Sequence, residues 1–157
     1  MADPRRVVID AGVALRIVAE DRTVRPDVAL LSPVLMRSLL NDQLYTEVRS
    51  GQRDEAEARR LNARFTRLKL RYLGDAVLRR RAWDLAMRAG MPSTHLAEYL
   101  ALTQLQADAL ATEDPSLIAW ADGVVTLAPV DSILAWMART SKRPAQQRAL
   151  PDVREGP

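Results

Sequence analysis

Residues 7–20 read VVIDAGVALRIVAE, an apolar run that ends on Asp10 and passes at once into a segment of helical spacing. A short apolar run feeding directly into a helix has the pattern of a strand buried on both faces, which belongs to a parallel sheet. Further along, in RLKLRYLG (67–74), the period changes: Leu68, Leu70 and Tyr72 alternate with Lys69 and Arg71, the mark of a half-exposed strand. Between these two stretches Pro26 and Pro33 bracket a connection. VLMRSLLNDQLYTEV (34–48) then sets Leu35, Leu39, Leu40, Tyr45 and Val48 at helical spacing, ending at Gly51. RDEAEARRLNARFTRL (53–68) is a further helix, with Ala58, Leu61, Phe65 and Leu68 on one face and Glu55 four residues before Arg59. Beyond Gly74, Asp75 is a good N-cap for a helix carrying Leu78, Ala82, Leu85, Ala86 and Ala89, which Gly90-Met91-Pro92 breaks. THLAEYLALTQLQA (94–107) is the next helix, DALAT (108–112) a short strand, EDPSLIAWAD (113–122) a turn and short helix, and VVTLAP (124–129) a last strand. The order β-α-α-α-β-α-α-β-α-β predicts an α/β fold: a parallel sheet of four to five strands, near 7–10, 68–73, 109–112 and 124–127, with helices on both faces.

Composition sets the bounds. The chain has 157 residues, 48% apolar and 27% charged, enough for one well-packed domain. Without cysteines, disulfides and thiolate metal sites are excluded. The opening MADPRRVVID lacks the apolar core of a signal peptide, and no run has membrane-spanning length, so the expectation is a cytoplasmic protein with no membrane partner. The domain is expected over 1–137, followed by a basic, Pro-containing and mobile tail over 138–157. The net charge of +3 is unevenly spread: residues 53–88 carry a net of +6, and residues 89–137 carry six acids and no Lys or Arg. Segregation of this kind suits a protein that holds cations in one part and polyanions in another, and equally suits two solvated faces.

In an open parallel sheet, ligands gather outside the carboxyl ends of the strands. Two acids fall at such ends, Asp10 after Val7-Val8-Ile9 and Asp114 after Ala109-Leu110-Ala111-Thr112. Adjacent strands would bring these carboxylates into one mouth, where a hard divalent ion could neutralise them, activate water and stabilise a phosphoryl transition state. Either residue alone also reads as a helix cap.

The stretches VVIDAGVAL (7–15), SPVLMRSLL (32–40), RLKLRYLGDAVLRRRAWDLA (67–86), THLAEYLALTQLQADALATED (94–114) and VVTLAP (124–129) together resemble PIN-domain toxins of the VapBC type. The resemblance spans roughly residues 5–134. It implies a three-layer PIN fold, a VapC-like endoribonuclease dependent on Mg²⁺ or Mn²⁺, a homodimer, and a cognate antitoxin protein that neutralises it. Of the four acids usual in that family, the first matches Asp10 and the last, in a Thr-x-Asp motif, matches Asp114. The second falls on Ser38 and the third on Leu96, so two of the four are absent. The ion is therefore expected to bind weakly and the cleavage to be impaired. The alternative is a catalytically degenerate PIN domain that binds RNA or antitoxin without cutting.

Glu98 and Asp42 are the acids nearest the two gaps. Glu98 completes the expected set Asp10, Asp114 and Glu98, although it lies about 200° around the helix from position 96. It also reads as a solvent-facing or dimer-facing residue, and Asp42 as a surface residue. His95 is the only histidine, which rules out a multi-histidine metal site. The run Arg79-Arg80-Arg81, with Arg59, Arg60, Arg64, Arg67 and Arg71, could track a phosphate backbone beside the mouth or simply stay solvated. Trp83, Trp120 and Trp136 read as core or interface residues, and Leu35, Leu39 and Trp83 as candidate dimer contacts.

Overall fold

The computed structural model describes residues 5–139. The first strand, β1 (Arg6–Ile9), is central in a four-stranded parallel sheet. One neighbour is β3 (Ala29–Pro33), which pairs in turn with β4 (Leu70–Leu73); the other is β5 (Ala109–Ala111). Val7, Val8 and Ile9 are wholly buried, as the apolar run requires of a strand covered on both faces. A separate two-stranded antiparallel pair joins β2 (Arg22–Thr23) to β6 (Ala138–Arg139). The paired chain thus runs two residues past the expected boundary at 137; the rest of the basic tail lies outside the described residues.

Helices cover the sheet in two groups. α1 (Ala11–Ala19), α2 (Met36–Arg49) and α3 (Glu55–Arg67) pack on one another. α4 (Ala76–Ala89) packs on α5 (Thr94–Gln106), and α5 lies against β1, β3 and β5. The short α6 (Pro115–Ala121) and α7 (Val130–Ala135) follow β5. This is the α/β, three-layer architecture that the order of elements predicts. Among the described residues no helix is long and apolar enough to cross a membrane.

The differences from the sequence reading have local causes. β3 lies in what reads as a connection, because prolines flank it; Pro33 takes the last strand position, where a missing N–H is tolerated. Its Ser32 is fully buried and donates a hydrogen bond to the Ile9 carbonyl at 2.8 Å, tying β3 to β1. β4 begins at Leu70 because Leu68 serves as the C-cap of α3. The strand expected at 124–127 is reduced to one bridge, Leu110 with Leu127, closed by the Leu110 N–H to the Thr126 carbonyl at 2.9 Å and the Ala128 N–H to the Leu110 carbonyl at 2.8 Å. In α2 the buried stripe is Met36, Leu40 and Leu44, spaced by four, whereas Leu39 and Tyr45 are exposed. Trp83 is not core: 60% of it is exposed on the outer face of α4.

The face of α2 can be checked by chemical denaturation. Leu40→Ala should cost about 2–5 kcal/mol, the usual range for emptying a fully buried leucine site. Tyr45→Ala, at an exposed position of the same helix, should stay within about 0.5 kcal/mol. Equal costs would show that the helix is turned differently.

Candidate functional site

The strand order explains where a site forms. From β1 the chain moves outward to β3 and β4, then returns to the other side of β1 to lay down β5. The reversal opens a crevice between the carboxyl ends of β1 and β5, where α/β sheets bind ligands. Asp10 and Asp114 both line a pocket of 410 Å³ at this point.

Each acid is fixed by a helix start. One Asp10 carboxylate oxygen accepts the Val13 N–H of α1 at 3.0 Å. The other accepts the Thr112 hydroxyl, at the end of β5. The Thr112 oxygen in turn accepts the Asp114 N–H at 3.0 Å, and an Asp114 carboxylate oxygen accepts the Leu117 N–H at 2.8 Å, capping α6. Pro115 at the first turn has no N–H to satisfy. A single chain of hydrogen bonds, Asp10–Thr112–Asp114, therefore joins two strand ends about a hundred residues apart in sequence.

Burial is the main force on Asp10 and pushes its carboxyl up from the ordinary 3.8; the hydrogen bonds from Thr112 and Val13 oppose this, and the charges of Asp114 and Glu113 add to it. Tyr99, on the floor of the pocket, is also pushed up, first by burial and then by the Asp10 carboxylate, so its hydroxyl stays a neutral donor. Glu113 lines the pocket as well but is ion-paired with Arg16 of α1. The same guanidinium reaches Asp131 at 3.1 Å and Glu20 at 3.5 Å.

The remaining expected residues are placed as follows. Leu96 lines the pocket beside Asp10 and Asp114, where the third acid was expected. Glu98 does not line it. With Leu96 turned to the pocket, the helical rotation leaves Glu98 half-buried near His95 and Arg79, whose charges counter the upward push of burial on its carboxyl. The contribution of α2 comes from Leu39 and Gln43, one turn apart, while Ser38 and Asp42 are exposed and outside the lining. Sequence reasoning missed Gln43, Tyr99, Glu113 and Arg16; the i, i+4 stripe Met36–Leu40–Leu44 would have turned Leu39 and Gln43 together to the same side. Arg64 and Arg67, expected beside the mouth, line a different cleft.

These donors do not suit Mg²⁺ or Mn²⁺. Each Asp10 oxygen already commits one lone pair to a hydrogen bond, Glu113 is held by a guanidinium, and Leu96 presents only carbon, so three or more free anionic ligands are lacking. Among the described residues no group of three or more His, Asp or Glu side chains is set to hold a metal ion.

No protein-family model matches the chain, and no curated protein matches it. Among solved structures it is similar to PAE2754 from Pyrobaculum aerophilum, with a TM-score of 0.62 and 23% identity over 83% of this chain and 94% of that one. The likeness supports the α/β fold.

A raised carboxyl favours the folded state only while protonated. The contribution of Asp10 is present below its unfolded value of 3.8 and is lost as pH rises through the higher folded value. Asp10→Asn keeps a capping oxygen for Val13 and never ionises. Its thermal midpoint should match that of the unaltered protein in acid, exceed it as pH rises above 3.8, and keep a constant lead once pH has passed the higher folded value. A midpoint that falls below the unaltered protein's at neutral pH would show that the ionised carboxylate stabilises the fold.

Proposed function

We propose that this chain is a PIN-like, VapC-like domain whose metal-dependent cutting centre is degenerate and which acts by binding RNA without efficient cleavage. One observation carries the reading: Leu96 occupies the pocket wall beside Asp10 and Asp114, where a metal-dependent nuclease needs a further carboxylate. With Glu113 bound by a guanidinium and carbon at Leu96, the pocket offers a divalent ion the two N-capping aspartates as its free carboxylates. Mg²⁺ and Mn²⁺ are bound weakly on this reading, and no hydrolytic step is routed through them. The chain acts in the cytoplasm, and an antitoxin protein is its second partner.

Calorimetry with Mn²⁺ alongside an RNA cleavage assay tests the reading. The unaltered chain should bind Mn²⁺ weakly or undetectably and cut little. Leu96→Asp adds a unit charge; at about 6 Å from a divalent ion, even in the dielectric of water, this contributes about 1.4 kcal/mol, a factor of about ten in affinity. Adding Arg16→Gln, which releases Glu113, should tighten binding further. Vigorous Mn²⁺-dependent cleavage by the unaltered chain would restore the nuclease reading and give Glu113 or Gln43 the missing role.

A homodimer is the assembly we infer, with the exposed Leu39 and Trp83 and the half-buried Leu35 as candidate contacts. Light scattering at tens of micromolar should give twice the 17.5 kDa chain mass. Trp83→Arg should shift it toward the monomer; a monomeric unaltered protein would exclude the dimer.

A further inference from the structure

The positive charge of residues 53–88 does not gather at the acidic mouth. Arg64 and Arg67 lie in the last turn of α3 and Lys69 just before β4, so they stand where strands begin, opposite the strand ends that carry Asp10 and Asp114. With Arg22 of β2 they line a cleft of 490 Å³ in which Asp21 is the only carboxylate among the described residues. Arg22 is committed: it pairs with Glu20 at 3.0 Å and donates to the carbonyls of Leu134 and Met137. Arg64 gives one N–H to the Val18 carbonyl at 3.1 Å. The side chains of Arg67 and Lys69 are exposed and have no ion pair or hydrogen bond among the described residues. The dipole of α3 accounts for cations in its own last turn, but not for Lys69 or for the convergence of Arg22 from another element.

β6 pairs antiparallel with β2, setting Arg139 opposite Arg22, so the chain leaves the described region beside the cleft. Residues 140–157 carry Lys142, Arg143, Arg148 and Arg154 against Asp152 and Glu155. That segment shares the sign of the cleft, so charge complementarity excludes it as the occupant and calls for a polyanion.

We propose that this cleft, at the end of the sheet remote from the acidic mouth, is a binding site for the phosphodiester backbone of RNA. The inference rests on the reading above that RNA is the partner and fixes where it binds. Among the described residues no aromatic side chain lines the cleft, which gives bases no platform to stack on there and favours recognition of phosphates, independent of sequence. An acidic peptide would offer the same sign of charge, and competition by poly-glutamate separates it from RNA.

The test is fluorescence anisotropy of a labelled, mixed-sequence single-stranded RNA with the full chain in EDTA over a salt series. The double variant R67E/K69E should weaken binding by at least about tenfold and flatten the salt dependence by about 1.4 in log–log slope, two contacts at about 0.7 each. R80E/R81E on α4 makes the same change in net charge at exposed positions and should stay within about threefold of the unaltered chain. Circular dichroism checks the fold, and R67Q/K69Q replaces the charge reversal should that variant unfold. Equal losses in the two double variants, or none at Arg67 and Lys69, would overturn the placement alone. Stronger competition by poly-glutamate than by unlabelled RNA would overturn the ligand class. No RNA binding by the unaltered chain would overturn both the placement and the function proposed above.

Discussion

The hydrogen bond from the Thr112 hydroxyl to the Asp10 carboxylate joins the ends of β1 and β5, the two adjacent strands between which the strand order reverses. β1 is buried between β3 and β5, so Asp10 has no freedom to swing away from the crevice. Thr112 also receives the Asp114 N–H, and through it the start of α6 is set against the start of α1. Both aspartates are N-caps, each worth about 1 kcal/mol to its helix whether or not any ion is near. The geometry of the mouth therefore follows from requirements of the fold, and a pair of acids placed there is weak evidence for metal chemistry taken alone.

What the sequence disclosed tracks the strength of each local signal. The run Val7–Ile9 ending on a cap, and the alternation through Leu70 and Tyr72, have one reading each, and both strands stand near where they were expected. β3 was hidden because Pro26 precedes it and Pro33 ends it, so the segment reads as a connection, although it is the strand beside β1. The helix at 36–49 was legible as a helix but not in its facing: several leucines compete for the stripe, and tertiary packing chose Met36, Leu40 and Leu44. That choice also moved the α2 side of the pocket from Ser38 to Leu39 and Gln43. Leu96 lines the pocket together with Asp10 and Asp114. No local pattern could have joined Arg16 to Glu113 and Asp131, which become its neighbours only when the sheet forms.

Arg16 changes the electrostatics of the mouth. Asp10, Glu113 and Asp114 crowded together would repel one another, and a cation is the usual remedy. Here the remedy is internal: the guanidinium takes Glu113, and burial favours the neutral form of Asp10. Each surface pair is worth little, but one arginine within reach of Glu113, Asp131 and Glu20 offsets one of their three charges without requiring an ion. A metal entering this pocket would have to compete with contacts already made.

The same parallel topology explains why the two signs of charge separate along the sheet. A helix that follows a strand begins at the strand's carboxyl end, where free N–H groups favour acids; Asp10 and Asp114 occupy such starts. A helix that leads back into a strand finishes at the opposite edge, where free carbonyls favour cations; Arg64 and Arg67 finish α3 there, next to β4. Backbone dipoles thus bias the two edges toward opposite charges before any ligand is considered. Function can build on such a bias only where charge exceeds what the helix ends need. At the acidic edge the excess is small, since Asp10 and Asp114 serve as caps and Glu113 is paired. At the basic edge Lys69 belongs to no helix and Arg67 has no partner among the described residues, so unspent charge faces solvent there. On electrostatic grounds the basic edge is the better prepared of the two for a ligand.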